Sequence, residues 1–92
     1  MKSIPMRTDG DLTTITVLRE VCQKPGAGRG INVEEMRRRF RILEAIEKAE
    51  QDNELSLEDA DHALLVGLYR DFQFGLVNER VLEIADDLDN AK

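Results

Sequence analysis

Tryptophan is absent from this 92-residue chain, and only four residues are aromatic: Phe40, Tyr69, Phe72 and Phe74. A core built without large rings must come from Leu, Ile, Val and Ala packed between helices. The single cysteine excludes an internal disulfide. Cys22 follows Val21 with no base nearby in sequence, so it reads as a small buried apolar residue and not as a nucleophile. His62 is the only histidine, and no Ser or Cys is placed with it. Nucleophilic and acid-base catalysis therefore lack their parts, and the chain is expected to be a non-enzyme without a cofactor. No apolar run approaches 18 residues, and no charged start, apolar stretch and small-residue cleavage pattern follow one another. The expectation is a chain neither secreted nor membrane-spanning, with the cytoplasm as its location.

The stretch from Ile31 to Gln51 carries the most mutually consistent signals. Asn32 is a good N-cap, Glu35 stands where a capping-box carboxylate reaches back, and Ile31 and Met36 occupy hydrophobic-staple positions. At 100° per residue, Val33, Met36, Phe40 and Leu43 form one apolar stripe and Ile42, Ile46 and Ala49 a second. Two stripes predict a central helix that neighbours cover from both sides.

Before that helix, Pro5 and the polar cluster Thr8, Asp9, Gly10 and Asp11 predict an extended arm over residues 1–11, ending in a turn. Leu12 to Gln23 is ambiguous. Thr13, Thr14, Ile15, Thr16 and Val17 suit a strand, yet Leu12, Ile15, Leu18, Val21 and Cys22 recur at helical spacing behind Asp11 as an N-cap, which favours a short helix. Residues 24–30, KPGAGRG, read as a mobile connector. After the central helix, Leu55 to Leu57 alternates as a very short strand would, with Ser3 to Met6 as its candidate partner. Ser56 and Asp59 then predict the start of a helix with Leu57, Ala60, Leu64, Leu65, Leu68 and Phe72 on its inner face, stopped by Gly75. Asn78 caps the last helix, with Val77 and Leu82 at staple positions, Val81, Ile84, Ala85 and Leu88 facing inward, and Asp86, Asp87 and Asp89 in a fraying end. The predicted fold is mainly all-α: one domain over 1–92, a bundle of three principal helices at about 32–51, 57–73 and 78–89, with the arm, a short extra helix and one small β pairing. At this length folding hides only roughly 60 to 65 % of the unfolded surface.

The net charge of −6 is unevenly spread. Residues 1–41 hold nine Lys or Arg against five Asp or Glu, a net of +4, whereas residues 42–92 hold four against fourteen, a net of −10. Such asymmetry suits head-to-tail self-association, or a basic face for one partner and an acidic face for another; uneven solvated helix faces account for it equally well. Arg37, Arg38, Arg39 and Arg41 invite a phosphate-binding reading. They spread around much of the helix, however, Arg39 falls within the apolar sector, and Glu34 and Glu35 stand four residues before Arg38 and Arg39, so intrahelical pairing and snorkelling explain them. A recognition helix after a short glycine turn is also missing. The loop from Pro25 to Gly30 lacks the Lys-Ser/Thr pair and the leading strand of a phosphate cradle. Glu58, Asp59, Asp61 and His62 share a helix start, but one His among first-turn carboxylates is a weak metal set, and a carboxylate bundle would need a second Glu-x-x-His; no metal is expected.

The order of an IPM arm, a threonine-rich segment, a Pro-Gly connector, INVEEMRRR with its Leu-Glu-Ala continuation, LSLEDAD and an acidic end resembles small proteins of tailed-bacteriophage and prophage genomes. That resemblance spans most of the chain and implies a class of role: assembly factor, virion adaptor, or a binder that inhibits or redirects a host protein. The expected function is a protein-interaction module, phage-borne and self-associating, whose partner is itself, a viral protein or a host protein. Arg29, Arg37, Arg38 and Arg41 are the candidate basic contacts, and Tyr69, Phe74 and Leu76 the candidate apolar anchors, since Arg and aromatic residues dominate interface hot spots. For Tyr69 and Phe74 an ordinary core position is the competing reading. The arm and the segment Leu18 to Arg19 would add contacts if the arm exchanges between protomers. The alternative function is a small regulator that binds nucleic acid through the Arg37 to Arg41 cluster.

Overall fold

The computed structural model describes residues 1–24 and 30–92, and its elements follow from local signals read in order. Strand β1 (Lys2–Pro5) begins the chain. Helix α1 (Thr14–Gln23) follows, capped by the Thr13 side chain, which accepts from the Thr16 backbone N–H. Asp11, the expected cap, lies two residues short of that position, and the helical spacing of Leu18, Val21 and Cys22 outweighs the β-branched run because it buries all three. Helix α2 (Val33–Asp52) starts as expected, with Asn32 Oδ1 accepting from the Glu35 N–H at 2.8 Å. It ends on Asn53 in the left-handed region at φ 57°, a conformation Asn tolerates.

Strand β2 (Glu54–Leu57) pairs antiparallel with β1, Ile4 opposite Leu55 and Ser3 opposite Ser56. Period-two alternation sends Ile4, Leu55 and Leu57 inward and leaves Ser56 exposed. Leu57 thus belongs to the strand and not to the next helix. Helix α3 (Asp59–Asp71) starts after Glu58, which makes no side-chain cap bond, so the expected Ser56 cap does not form. The helix also stops before Gly75 is reached. Phe72 is already extended (ψ 133°), and the Phe74 ring turns back to pack 4.7 Å from Phe72 and 5.4 Å from Tyr69 between ring centroids. Helix α4 (Glu79–Asp89) is capped by Asn78. Its staple is not made, because Val77 stands fully in solvent.

Ile4, Leu18, Ile42, Ile46, Leu55, Leu65, Ile84 and Leu88 meet in one core, to which every element contributes. α1 packs on α2, α2 on the sheet, and α3 against α1, α2 and α4. Side-chain ties fix directions. Arg39 meets the last residues of α1 while Arg19 pairs with Glu50, so α1 and α2 run antiparallel. Tyr69 meets Val81 and His62 meets Leu88, so α3 and α4 do likewise.

The arm is held by its own chain. The Arg7 guanidinium grips Asp87 through two bonds of 2.7 and 3.1 Å, and Arg80 binds both the carboxylate and the carbonyl of Asp9 at 3.0 Å. Ser3 N–H donates to the Lys92 carbonyl at 3.0 Å on the strand edge away from β2. Ile4 and Leu18 are fully buried in the fold, the arm packing on the strand and helices of its own chain. The acidic end does not fray either: Asp87 holds Arg7, and Asp89 pairs with Arg70. Replacing Ile4 by Ala should remove about 2 to 5 kcal/mol of stability and loosen the arm, read as a lowered urea midpoint together with faster amide exchange at Ser3 and Leu55.

Candidate protein-contact surface on the central helix

The core claims only part of the circumference of α2. Ile42, Ile46 and Ala49 are buried against the sheet and α3, and Arg39 lies beside them at 3 % exposure. The opposite arc carries Val33 (65 % exposed), Met36 (45 %) and Phe40 (57 %), with Leu43 half-buried at its margin toward α1. The stripe expected to be covered from a second side is therefore open. The reason is geometric: α1 flanks one side of α2, β2 and α3 close the other, and no further element among the described residues reaches the arc between them. The sequence held a signal for this. Arg37 and Glu44 project within 60° of Phe40 on a helical wheel, and charges inside an apolar arc mark a face that meets water before it meets a partner.

The arginine cluster disperses into separate tasks. Arg39 is drawn inward: Nη2 and Nε donate to Glu35 at 2.6 and 3.1 Å, and Nη1 donates to the Lys24 carbonyl at 2.7 Å. One guanidinium thereby satisfies a carbonyl at the C-terminal end of α1 while its charge is neutralised one turn away on its own helix. Arg41 binds Asp61 at 2.8 Å, and Arg38 donates to the Ala60 carbonyl at 3.5 Å, so both tie α2 to the start of α3. The Asp61 carboxylate raises the Arg41 guanidinium further above its ordinary value through that hydrogen bond. Asp61 is itself buried, which makes this tie part of the fold. Only Arg37 of the four is exposed and free of an ion pair among the described residues. Glu44 and Glu47, one and two turns beyond Phe40, are exposed and equally unpaired among those residues. Arg29 lies outside the described residues, as does the connector from Pro25 onward to that residue.

The remaining candidates separate cleanly. Tyr69 is core and not a surface anchor: its ring is buried, and its hydroxyl donates to the Val81 carbonyl at 2.6 Å, because its place on α3 faces α4. Burial holds its phenol above the usual range. Phe74 is half-buried, and Leu76 is half-exposed beside Val77 and Leu82. Leu76 and Phe74 line a second apolar groove with Leu12, Val17 and Val81. Sequence reading missed Val33, Met36, Phe40, Val77 and Leu82 as surface residues, since each stood in a plausible core or staple position. His62 Nε2 donates to the Leu88 carbonyl at 2.8 Å and so serves as a strut between α3 and α4. Among the described residues, no three His, Cys, Asp or Glu side chains converge as a metal site would require. None of the described helices is long and apolar enough to cross a membrane.

Two measurements check these assignments. Arg39→Ala should destabilise the fold by about 2 to 3 kcal/mol, because it orphans the Cys22 and Lys24 carbonyls and empties a buried position, whereas Arg37→Ala should stay within about 0.5 kcal/mol of the parent by urea denaturation. Burial pushes the Cys22 thiol up to about 12, so the folded protein keeps its proton where the unfolded chain, near 9, releases it. The contribution is fully present below about pH 9 and is lost as pH rises toward 12, so stability should fall over that window. At pH 8 a disulfide reagent should label Cys22 at least about 100-fold more slowly than it labels the urea-unfolded chain. No family model, curated protein or solved structure matches this chain, and the surface described above is known by its own chemistry.

Proposed function

We propose that this protein is a non-enzymatic protein-protein interaction module whose principal contact surface is the outward arc of α2. The observation that carries this reading is the solvent exposure of Val33, Met36 and Phe40 in one helical line, rimmed by charged Arg37, Glu44 and Glu47. Apolar residues in a row with a charged rim are what a helix presents to a protein partner, the apolar centre supplying affinity and the rim fixing register. The basic residues beside it support a protein and not a nucleic acid as the partner. Arg38, Arg39 and Arg41 are engaged within the fold, and Arg37, the one free guanidinium of that cluster among the described residues, is far short of the several phosphate contacts that strong nucleic-acid binding uses. The resemblance to small phage and prophage proteins supports a role in assembly, as a virion adaptor, or in binding a host protein, with the bacterial cytoplasm or the virion as its place of action.

A photo-crosslinking residue placed at Phe40 tests this in bacterial cells that make the protein. It should give discrete adducts that the same residue at Asn53, exposed at the far end of α2, does not give. Absence of any adduct at position 40, including one with the protein itself, would overturn the reading.

A further inference from the structure

The arc of α2 is complementary to itself when two copies meet antiparallel across a two-fold axis. Going along the helix, the unpaired charges of the arc change sign: Arg37 stands three residues before Phe40, while Glu44 and Glu47 follow it by four and seven. The apolar residues lie on both sides of the same point, Val33 and Met36 before it and Leu43 after it. Rotate a second α2 by half a turn about an axis through Phe40, and residues on the same flank of the arc, within one position of the same distance from that axis, come face to face. Phe40 then packs against its twin. Met36 of one copy lies over Leu43 of the other, and Arg37 of each comes opposite Glu44, with Glu47 within reach of its long side chain. A parallel pairing in register instead sets Arg37 against Arg37 and Glu44 against Glu44, so like charges oppose it.

We infer that the partner seated on this arc is a second copy of the chain, bound by an antiparallel α2–α2 contact with its two-fold axis at Phe40. The inference rests on the proposed interaction role and specifies its occupant. An isologous contact needs one patch to serve as both donor and acceptor, and closed two-fold pairs are the commonest assembly of small soluble chains. The surroundings fit. A groove between α1 and α2, lined by Arg19, Gln23, Phe40, Leu43, Glu44 and Glu47, begins where the Met36 side chain of the other copy would arrive. Unbranched and soft, a methionine adapts to such a groove. On both edges of the arc Arg19 pairs with Glu50 and Arg41 with Asp61 within the chain, which leaves Arg37 and Glu44 without an ion pair among the described residues. Chains of ordinary packing distance, about 8 to 10 Å between axes, bring these side chains into contact.

The test is sedimentation equilibrium on the purified full-length chain and four variants, each checked for unchanged helicity by circular dichroism. The parent should pass with concentration from one 10.5 kDa chain to two. Phe40→Asp should abolish the dimer. Arg37→Glu alone, or Glu44→Lys with Glu47→Lys, should each weaken it by at least about tenfold, since every charged contact then meets its own sign. The combined variant with all three reversals should recover to within about threefold of the parent, an outcome that a parallel pairing excludes because like would still face like. A parent that stays monomeric to millimolar concentration, or a combined variant as weak as its components, would overturn the inference. A monomeric parent that still yields adducts with other proteins from position 40 would sink the second copy while leaving the interaction role standing; no adduct at all would sink both.

Discussion

Arg39 sits where two costs would otherwise fall due. A helix end leaves carbonyls without donors, and a guanidinium in the interior leaves a charge without water. Placing one against the other removes both: Nη1 takes the Lys24 carbonyl, Nη2 and Nε take Glu35, and the side chain is left only 3 % exposed. Because Glu35 is itself positioned by the Asn32 cap, the start of α2, the end of α1 and the buried charge form one connected unit. The packing of α1 on α2 depends on that unit, and so does the side of α2 left over for other uses.

The division of α2 into an inner and an outer arc follows. With Arg39 directed toward α1 and Arg38 and Arg41 toward α3, the cationic groups of the helix act as guy-lines that set its rotation about its own axis. Ile42, Ile46 and Ala49 are turned to the core, and Val33, Met36 and Phe40 are turned away from it. A sequence run that looks like a basic cluster is thus mostly framework, and the functional character of the surface comes from the apolar residues between the arginines.

Much of this was legible beforehand where local chemistry decides alone. The Asn32 cap, the extent of α2, the alternation of Leu55 to Leu57 with its pairing to the arm, and the Asn78 cap all follow from short-range hydrogen bonding or side-chain period. What was not legible depends on which elements exist to cover a face. Nothing within INVEEMRRRF distinguishes a stripe awaiting α1 from a stripe awaiting water; the answer lies in the count of neighbours and in the direction Arg39 takes. Tyr69 shows the converse: the same aromatic chemistry that makes interface anchors also fills cores, and only the place of α4 above it, with the Val81 carbonyl accepting a hydrogen bond from its hydroxyl, selects the second. The acidic end was misjudged for a similar reason, since Asp87 finds its partner, Arg7, on the far side of the chain.

The two-stranded sheet joins residues about fifty positions apart, Ile4 lying opposite Leu55. For a protein otherwise made of helices, whose contacts form quickly because they are local, this is a distant closure. When the chain emerges from the ribosome β1 comes first, yet its partner strand and the α4 carboxylate that holds Arg7 come much later. Until then Ile4 and the strand edge stay uncovered, and the helices can gather without them. The burial of Ile4 thus depends on residues about fifty positions away, and the shortest elements of the structure are the ones that join its distant parts.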